Sequence, residues 1–206
     1  TEVAARNGWN LELEAIDWDA KDALLNQGTI NCIWNGFTME GREADYAFSK
    51  PYMHNEQVVV VKKDSGINSL DDLADKNVMT QVDSAALDVL EGDQKDLADT
   101  FAGGKTQTIG DYNNAFMQLD SGMIDAVACD LSIAQYQIAA NPDKYVQLST
   151  PLSTEHYAVG FKKGDTELAQ KVTETLKQLD ADGTVKQLCE KYASYGISYD
   201  NWVLGK

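Results

Sequence analysis

The residues best suited to chemistry follow a short apolar run. Cys32, Ile33 and Trp34 read as a buried parallel strand, and Asn35-Gly36 breaks it into a polar loop carrying Thr38 and Arg42. Polar groups at a strand's carboxyl end are where open α/β sheets bind ligands. Gly36 would let a ligand approach the backbone, the Thr38 hydroxyl can donate or accept, and the Arg42 fork fits a carboxylate with two parallel bonds. A small zwitterion needs these groups. A lysine at 42 would lose the fork. The plain alternative for Arg42 is a surface arginine paired with a neighbour such as Asp45.

A second set of groups lies further along. The strand over 77–81 runs into Val82-Asp83-Ser84-Ala85-Ala86, a helix start. Helix starts expose unpaired N–H groups and a partial positive charge, so the N–H groups of Ser84 and Ala85 can hold a carboxylate. Ser84 is equally an ordinary N-cap, and both roles can coexist. Asp130 ends the strand over 126–129, where an aspartate is commonly a cap for the next helix, here one starting near Ser132.

Among the elements that must position these groups, 1–7 reads as a helix tail stopped by Asn7-Gly8. Leu11 and Leu13 alternate with Glu12 and Glu14 as a short strand over 11–15, and 19–26 is helical until Gly28. The segment 56–63, with four consecutive valines, is strongly β. A polar stretch, 65–77, carries a helical pattern behind a Ser69 cap, with Asp71 and Asp72 in its first turn. Then come a strand over 77–81, a helix from Ser84 to about residue 90, and a second helical piece within 93–101. Strands over 106–109, 126–129 and 145–148 alternate with helices over 112–119 and 132–140, which implies parallel strands with covering helices. After Pro151 the sequence predicts a β segment over 155–162, helices over 166–179 and 185–193, and an aromatic tail packed on the surface.

An internal echo points to two similar α/β halves. Helix, Gly28-Thr29-Ile30-Asn31, strand recurs as helix, Gly122-Met123-Ile124-Asp125, strand, and each copy ends in a polar cluster, Asn35-Gly36 and Cys129-Asp130.

Composition excludes several classes. The 206 residues, 43% hydrophobic and 24% charged, suit one large domain or two lobes. No apolar run approaches the ~20 residues of a membrane span, and any export signal is expected to have been removed or left out. A formal net charge of −16 argues against nucleic acid. Cys32, Cys129 and Cys189 stand at unrelated spacings and read as free thiols, buried in the core. With only His54 and His156 to add, no zinc site or Cys/His nucleophile pair is expected, and no cofactor.

Gly36-Phe37-Thr38, Arg42 and Phe48-Ser49-Lys50-Pro51-Tyr52 resemble the Gly-Met-Thr, Arg, Asp-Phe-Ser-x-Pro-Tyr signature of polar amino-acid solute-binding proteins of ABC importers. The resemblance runs from Thr1 to about Tyr195. This chain has one residue fewer between Thr38 and Arg42 than the family usually has, with Asp83 in place of a glycine and Ala85 in place of Ser, Thr or Gly. The resemblance implies an α/β fold, the two-lobed type II periplasmic-binding-protein clamshell, with lobe 1 formed by 1–61 and 156–206 and lobe 2 by 62–155. Strands near 59–62 and 154–157 would be the hinge.

The same resemblance implies the roles. Arg42 would take the α-carboxylate of a free amino acid, helped by the N–H groups of Ser84 and Ala85. Asp130 would pair with the α-ammonium, and Thr38 with the Gly36 carbonyl would complete its acceptors. Trp18 would cover the ligand side chain, unless it is simply a packed core ring, and Gln81 and Cys129 would face that side chain. The partners implied are the amino acid and an ABC transporter's membrane subunits, and the location is extracytoplasmic, periplasmic or lipid-anchored. A receptor sensor domain and a dehydratase on the same fold are the alternatives; the dehydratase needs a poised acid or base, and the cleft candidates leave none spare.

Measured against the family, one βα unit before Thr1 is absent, including a strand that ordinarily lies between those corresponding to 11–15 and 32–34. Either another chain or segment supplies it, or the first lobe is rearranged or partly open with an incomplete site. A strand-sharing or swapped oligomer is the more physical form, because open strand edges invite pairing.

Overall fold

The computed structural model describes residues 1–34 and 36–205. The Asn35 half of the expected Asn35-Gly36 break lies outside them. In chain order the regular elements are α1 (Glu2–Asn7), α2 (Lys21–Gln27), β1 (Tyr46–Phe48), β2 (Met53–Lys62), β3 (Val78–Gln81), α3 (Ala85–Glu91), α4 (Lys95–Ala98), β4 (Gln107–Ile109), α5 (Tyr112–Ser121), β5 (Ala126–Asp130), α6 (Leu131–Ala140), β6 (Tyr145–Gln147), β7 (Ser153–Tyr157), β8 (Gly160–Lys162), α7 (Thr166–Ala181) and α8 (Thr184–Lys191). The chain divides into two compact units, Thr1–Asn55 with Glu155–Lys206, and Glu56–Thr154.

The second unit is organised by β2. Val58, Val59, Val60 and Val61 are all fully buried, as a strand covered on both faces requires. Side chains alternate across a strand, so Val59 and Val61 pack with Leu73, Val78, Leu90 and Phe101 on one face. Val58 and Val60 pack with Tyr112, Phe116, Leu119 and Val127 on the other. The strands run in the order β4-β3-β5-β2-β6. The expectation of parallel strands holds only for β4, β3 and β5, which are joined by crossover helices. β2 precedes those βα repeats, so no crossover forces its direction, and it lies antiparallel to both β5 and β6. The Ser69 cap is present, but it starts a single 3-10 turn, Leu70–Leu73, closed by a capping box with Asp72.

In the first unit, α1, α7, α8, β1, β8 and the chain's end share a core of Val3, Ala47, Phe161, Val172, Leu176, Val185 and Trp202. Three expectations are corrected here. The segment over 11–15 is not a strand, and Leu13 is 88% exposed; among the described residues no strand pairs with it, and an isolated strand cannot satisfy its backbone groups. The strand over 32–34 is reduced to one antiparallel bridge between Ile33 and Gly160, while β1, unforeseen, takes the rest of β8. The aromatic tail is not a surface feature: Trp202 is buried, bridges Met53, and donates from its ring N–H to the Leu204 carbonyl at 2.6 Å. A tryptophan with its N–H satisfied can be buried whole.

The echo seen in sequence has a structural counterpart. Gly28 closes α2 at φ 77°, ψ 16°, and Gly122 closes α5 at φ 76°, ψ 17°. In each, the glycine N–H and the next N–H reach back to the last turn: Gly28 to Leu25 and Thr29 to Leu24, Gly122 to Leu119 and Met123 to Gln118. This is a Schellman cap, whose left-handed residue is cheapest as glycine. Eight residues beyond each cap stand Gly36 and Asp130.

Candidate functional site

In the first unit, residues 37–39 run antiparallel to 156–158. Met39 N–H donates to His156 O at 3.0 Å, Ala158 N–H donates to Phe37 O at 3.0 Å, and Thr38 bridges Tyr157. Gly36 sits at φ +58°, and a Cβ there would come within 3.1 Å of the Tyr157 ring, so both backbone and space call for glycine. Thr38 is buried, and its hydroxyl donates to Glu155 Oε1 at 2.5 Å. Asn55 Nδ2 donates to the same oxygen at 2.7 Å.

Phe37, fully buried, anchors the aromatic side of this cluster. Trp18 meets it edge-on at 5.7 Å, and Tyr46 and Phe48 lie at 5.0 and 5.5 Å. Trp18 is therefore a half-buried ring packed on the Phe37 cluster, with the Lys21 ammonium 5.2 Å from its ring centre. The Arg42 guanidinium stands over the Phe37 ring, 5.2 Å from its centre, with Nη1 3.5 Å from the Thr38 carbonyl. An arginine stacked this way keeps its flat fork oriented.

In the second unit, Asp130 occupies the N-cap position of α6, yet its side chain makes no capping bond. Its Oδ1 instead accepts from Gln57 Nε2 at 2.9 Å, so the plain cap reading fails on geometry. Burial first, and then the Asp130 charge, push the Tyr112 hydroxyl's pKa up. Ser84 does cap α3, accepting from Leu87 N–H at 3.2 Å, and joins a hydroxyl network with Thr80 and Tyr112. Asp83 takes φ +57°, the left-handed backbone that a glycine would adopt freely. The Gln81 amide donates to the Gly110 carbonyl at 2.9 Å.

Cys129 lies in the apolar cluster with Val58, Val60, Met79 and Tyr112, and burial pushes its thiol pKa well up. All three cysteines are free, Cys129 and Cys189 buried and Cys32 half-buried.

The structure brings Gly36, Thr38, Arg42 and Trp18 together in the first unit, and Asp130, Ser84, Ala85 and Gln81 at neighbouring strand ends in the second. Sequence reasoning missed Glu155, Asn55 and Gln57. A signal existed for Glu155: it stands two residues before Tyr157 and four before Val159, on the inward face of an alternating strand.

A βα sheet left by one strand and re-entered by another, with polar clusters at its strand ends, is the architecture of the type II periplasmic-binding-protein class. The chain belongs to the bacterial extracellular solute-binding proteins, family 3, whose model matches residues 1–195. A solved ABC uptake transporter substrate-binding protein from Streptococcus pneumoniae, with bound histidine, superposes with a TM-score of 0.90 at 32% identity, over 96% of this chain and 82% of that one. The L-cystine-binding protein TcyA of Bacillus subtilis is 28% identical over 200 residues, 96% of this chain and 71% of that protein. The probable histidine-binding protein of Neisseria gonorrhoeae is 25% identical over 197 residues, 92% of this chain and 70% of that protein.

Proposed function

We propose that this chain binds a free amino acid outside the cytoplasm, without turning it over, and delivers it to the membrane subunits of an ABC importer. The observation carrying this is the family match over residues 1–195. The side-chain chemistry supports it: Arg42 for the carboxylate, with the N–H groups of Ser84 and Ala85, and Asp130 with Thr38 and the Gly36 carbonyl for the ammonium. Trp18 and Gln81 would border the ligand's side chain. Lobe 1 would be 1–61 with 156–206 and lobe 2 62–155, hinged near 59–62 and 154–157, although the compact units divide between Asn55 and Glu56 and between Thr154 and Glu155. The chain works in the periplasm or lipid-anchored on the outer face of the membrane.

A strand-sharing oligomer belongs to this proposal. Its support is the exposed run of Trp9, Leu11 and Leu13 and the single bridge at Ile33.

A thermal-shift screen against the twenty common L-amino acids tests the function. A ligand at ~100 times its Kd should add about 2.7 kcal/mol of stability, so one or a few amino acids should raise Tm clearly. A flat screen overturns the proposal.

A further inference from the structure

Glu155 is a buried carboxylate, 4% exposed, inside a strand otherwise packed on its inward face by Tyr157. A buried charge persists only where donors satisfy it, and here the Thr38 hydroxyl and the Asn55 amide converge on one oxygen, at 2.5 and 2.7 Å. The first distance is that of a charge-assisted O–H···O⁻ bond. The Asn55 amide nitrogen can only donate, and with Glu155 ionised its Oε1 accepts both bonds, so the shared proton is the Thr38 hydroxyl's.

The backbone on either side of Thr38 is pinned by the bonds from Met39 to His156 and from Ala158 to Phe37. The hydroxyl is then the one rotor left to set. A threonine hydroxyl offers one donor and two lone pairs, whereas an ammonium only donates. With its proton turned to a ligand's ammonium, Thr38 would oppose donor to donor; with the proton held by Glu155, it presents lone pairs.

We infer that Glu155 is a positioning residue for amino-acid capture, holding the Thr38 proton so that the hydroxyl accepts from the ligand's α-ammonium. This rests on the function proposed above and on Thr38 as a ligand contact. Glu155 does not itself touch the ligand. Its carboxylate charge is therefore dispensable, provided an acceptor oxygen remains in place.

The test is calorimetric titration of the twenty common L-amino acids into the unmutated chain, Glu155→Gln, Glu155→Met and Thr38→Val, and into Glu155→Met in the Thr38→Val background. Glu155→Gln keeps the oxygen and should bind within about threefold of the parent, while Glu155→Met, which frees the Thr38 rotor, should weaken binding about tenfold, the loss of one hydrogen bond. In the Thr38→Val background, Glu155→Met should cost less than about twofold more, because its effect runs through that hydroxyl. If Glu155→Met does not fold, Asn55→Leu with Glu155→Met removes both buried partners together and replaces it. Glu155→Gln binding as weakly as Glu155→Met would place the charge on the ligand and overturn the inference, as would full additivity with Thr38→Val or parent-like binding by Glu155→Met. A parent that binds none of the amino acids brings down the functional proposal, and this inference with it.

Discussion

At the scale of single residues, the division of labour follows from which charges are held and how. Arg42 stacks on Phe37 with its fork oriented. Arg42→Ala should therefore abolish amino-acid binding while leaving the melting temperature of the free protein nearly unchanged, since a desolvated charge-assisted pair contributes several kcal/mol and the stacked arginine only ~0.5–1 kcal/mol. Calorimetry with the best ligand from the amino-acid screen checks this, and affinity within a few-fold of the parent would remove Arg42 from the site. Asp130 makes no cap on α6, so its carboxylate is not needed to start that helix. Asp130→Asn should weaken an α-amino acid by about 2 kcal/mol, roughly 30-fold, and weaken the matching α-hydroxy acid far less, because only a charged ammonium uses the full attraction of a carboxylate. Equal losses for the two ligands, measured side by side, would make Asp130 structural.

At the scale of elements, the terminal segment is part of the first unit's core. Trp202 is buried between Tyr52, 5.9 Å away ring to ring, and the C-terminal helices, and Val203 N–H donates to Tyr52 O at 3.0 Å. Trp202→Ala should destabilise that unit by about 3 to 5 kcal/mol, the usual loss for a buried tryptophan. Urea unfolding followed by circular dichroism measures it; a change under about 1 kcal/mol would show that the ring contributes surface rather than core. In the second unit the burden falls on β2, whose four valines serve two opposite core clusters at once. That is why a continuous apolar run, rather than an alternating one, is required there.

At the scale of the whole molecule, the first unit has less sheet than the second. Its regular pairing is β1 with β8, plus bridges at Ile33, Thr38 and Met53, while Leu11 and Leu13 stay exposed. Extended, apolar, unpaired backbone is a template for another strand. The proposal of strand sharing predicts a reversible dimer or larger species in analytical ultracentrifugation, and Leu11→Lys with Leu13→Lys should shift it to monomer, because charged edge residues block pairing. A chain that sediments as monomer at every concentration removes strand sharing from the proposed function.

Much of the second unit was legible in the sequence, because its signals are local. The Val58 to Val61 run names a two-sided strand, Gly122 names a left-handed helix end, Ser69 and Ser84 name caps, and the order of strands and helices names a βα sheet. Each depends on residues within a turn or two of one another. The Gly36, Thr38 and Arg42 cluster was legible for the same reason. What the tertiary structure alone decided depends on partners distant in the chain. Leu11 to Glu14 has the alternation of a strand but pairs with no strand among the described residues, so alternation was not enough. The tail read as surface until Tyr52, some 150 positions earlier, was found to receive Trp202. The sequence offers Asp130 as a cap for the next helix, yet its side chain makes no capping bond and accepts instead from Gln57, 73 positions earlier. Glu155 carried no mark of its importance except its inward register, because what gives it meaning, the Thr38 hydroxyl, lies 117 residues away and meets it only once 37–39 and 156–158 have paired.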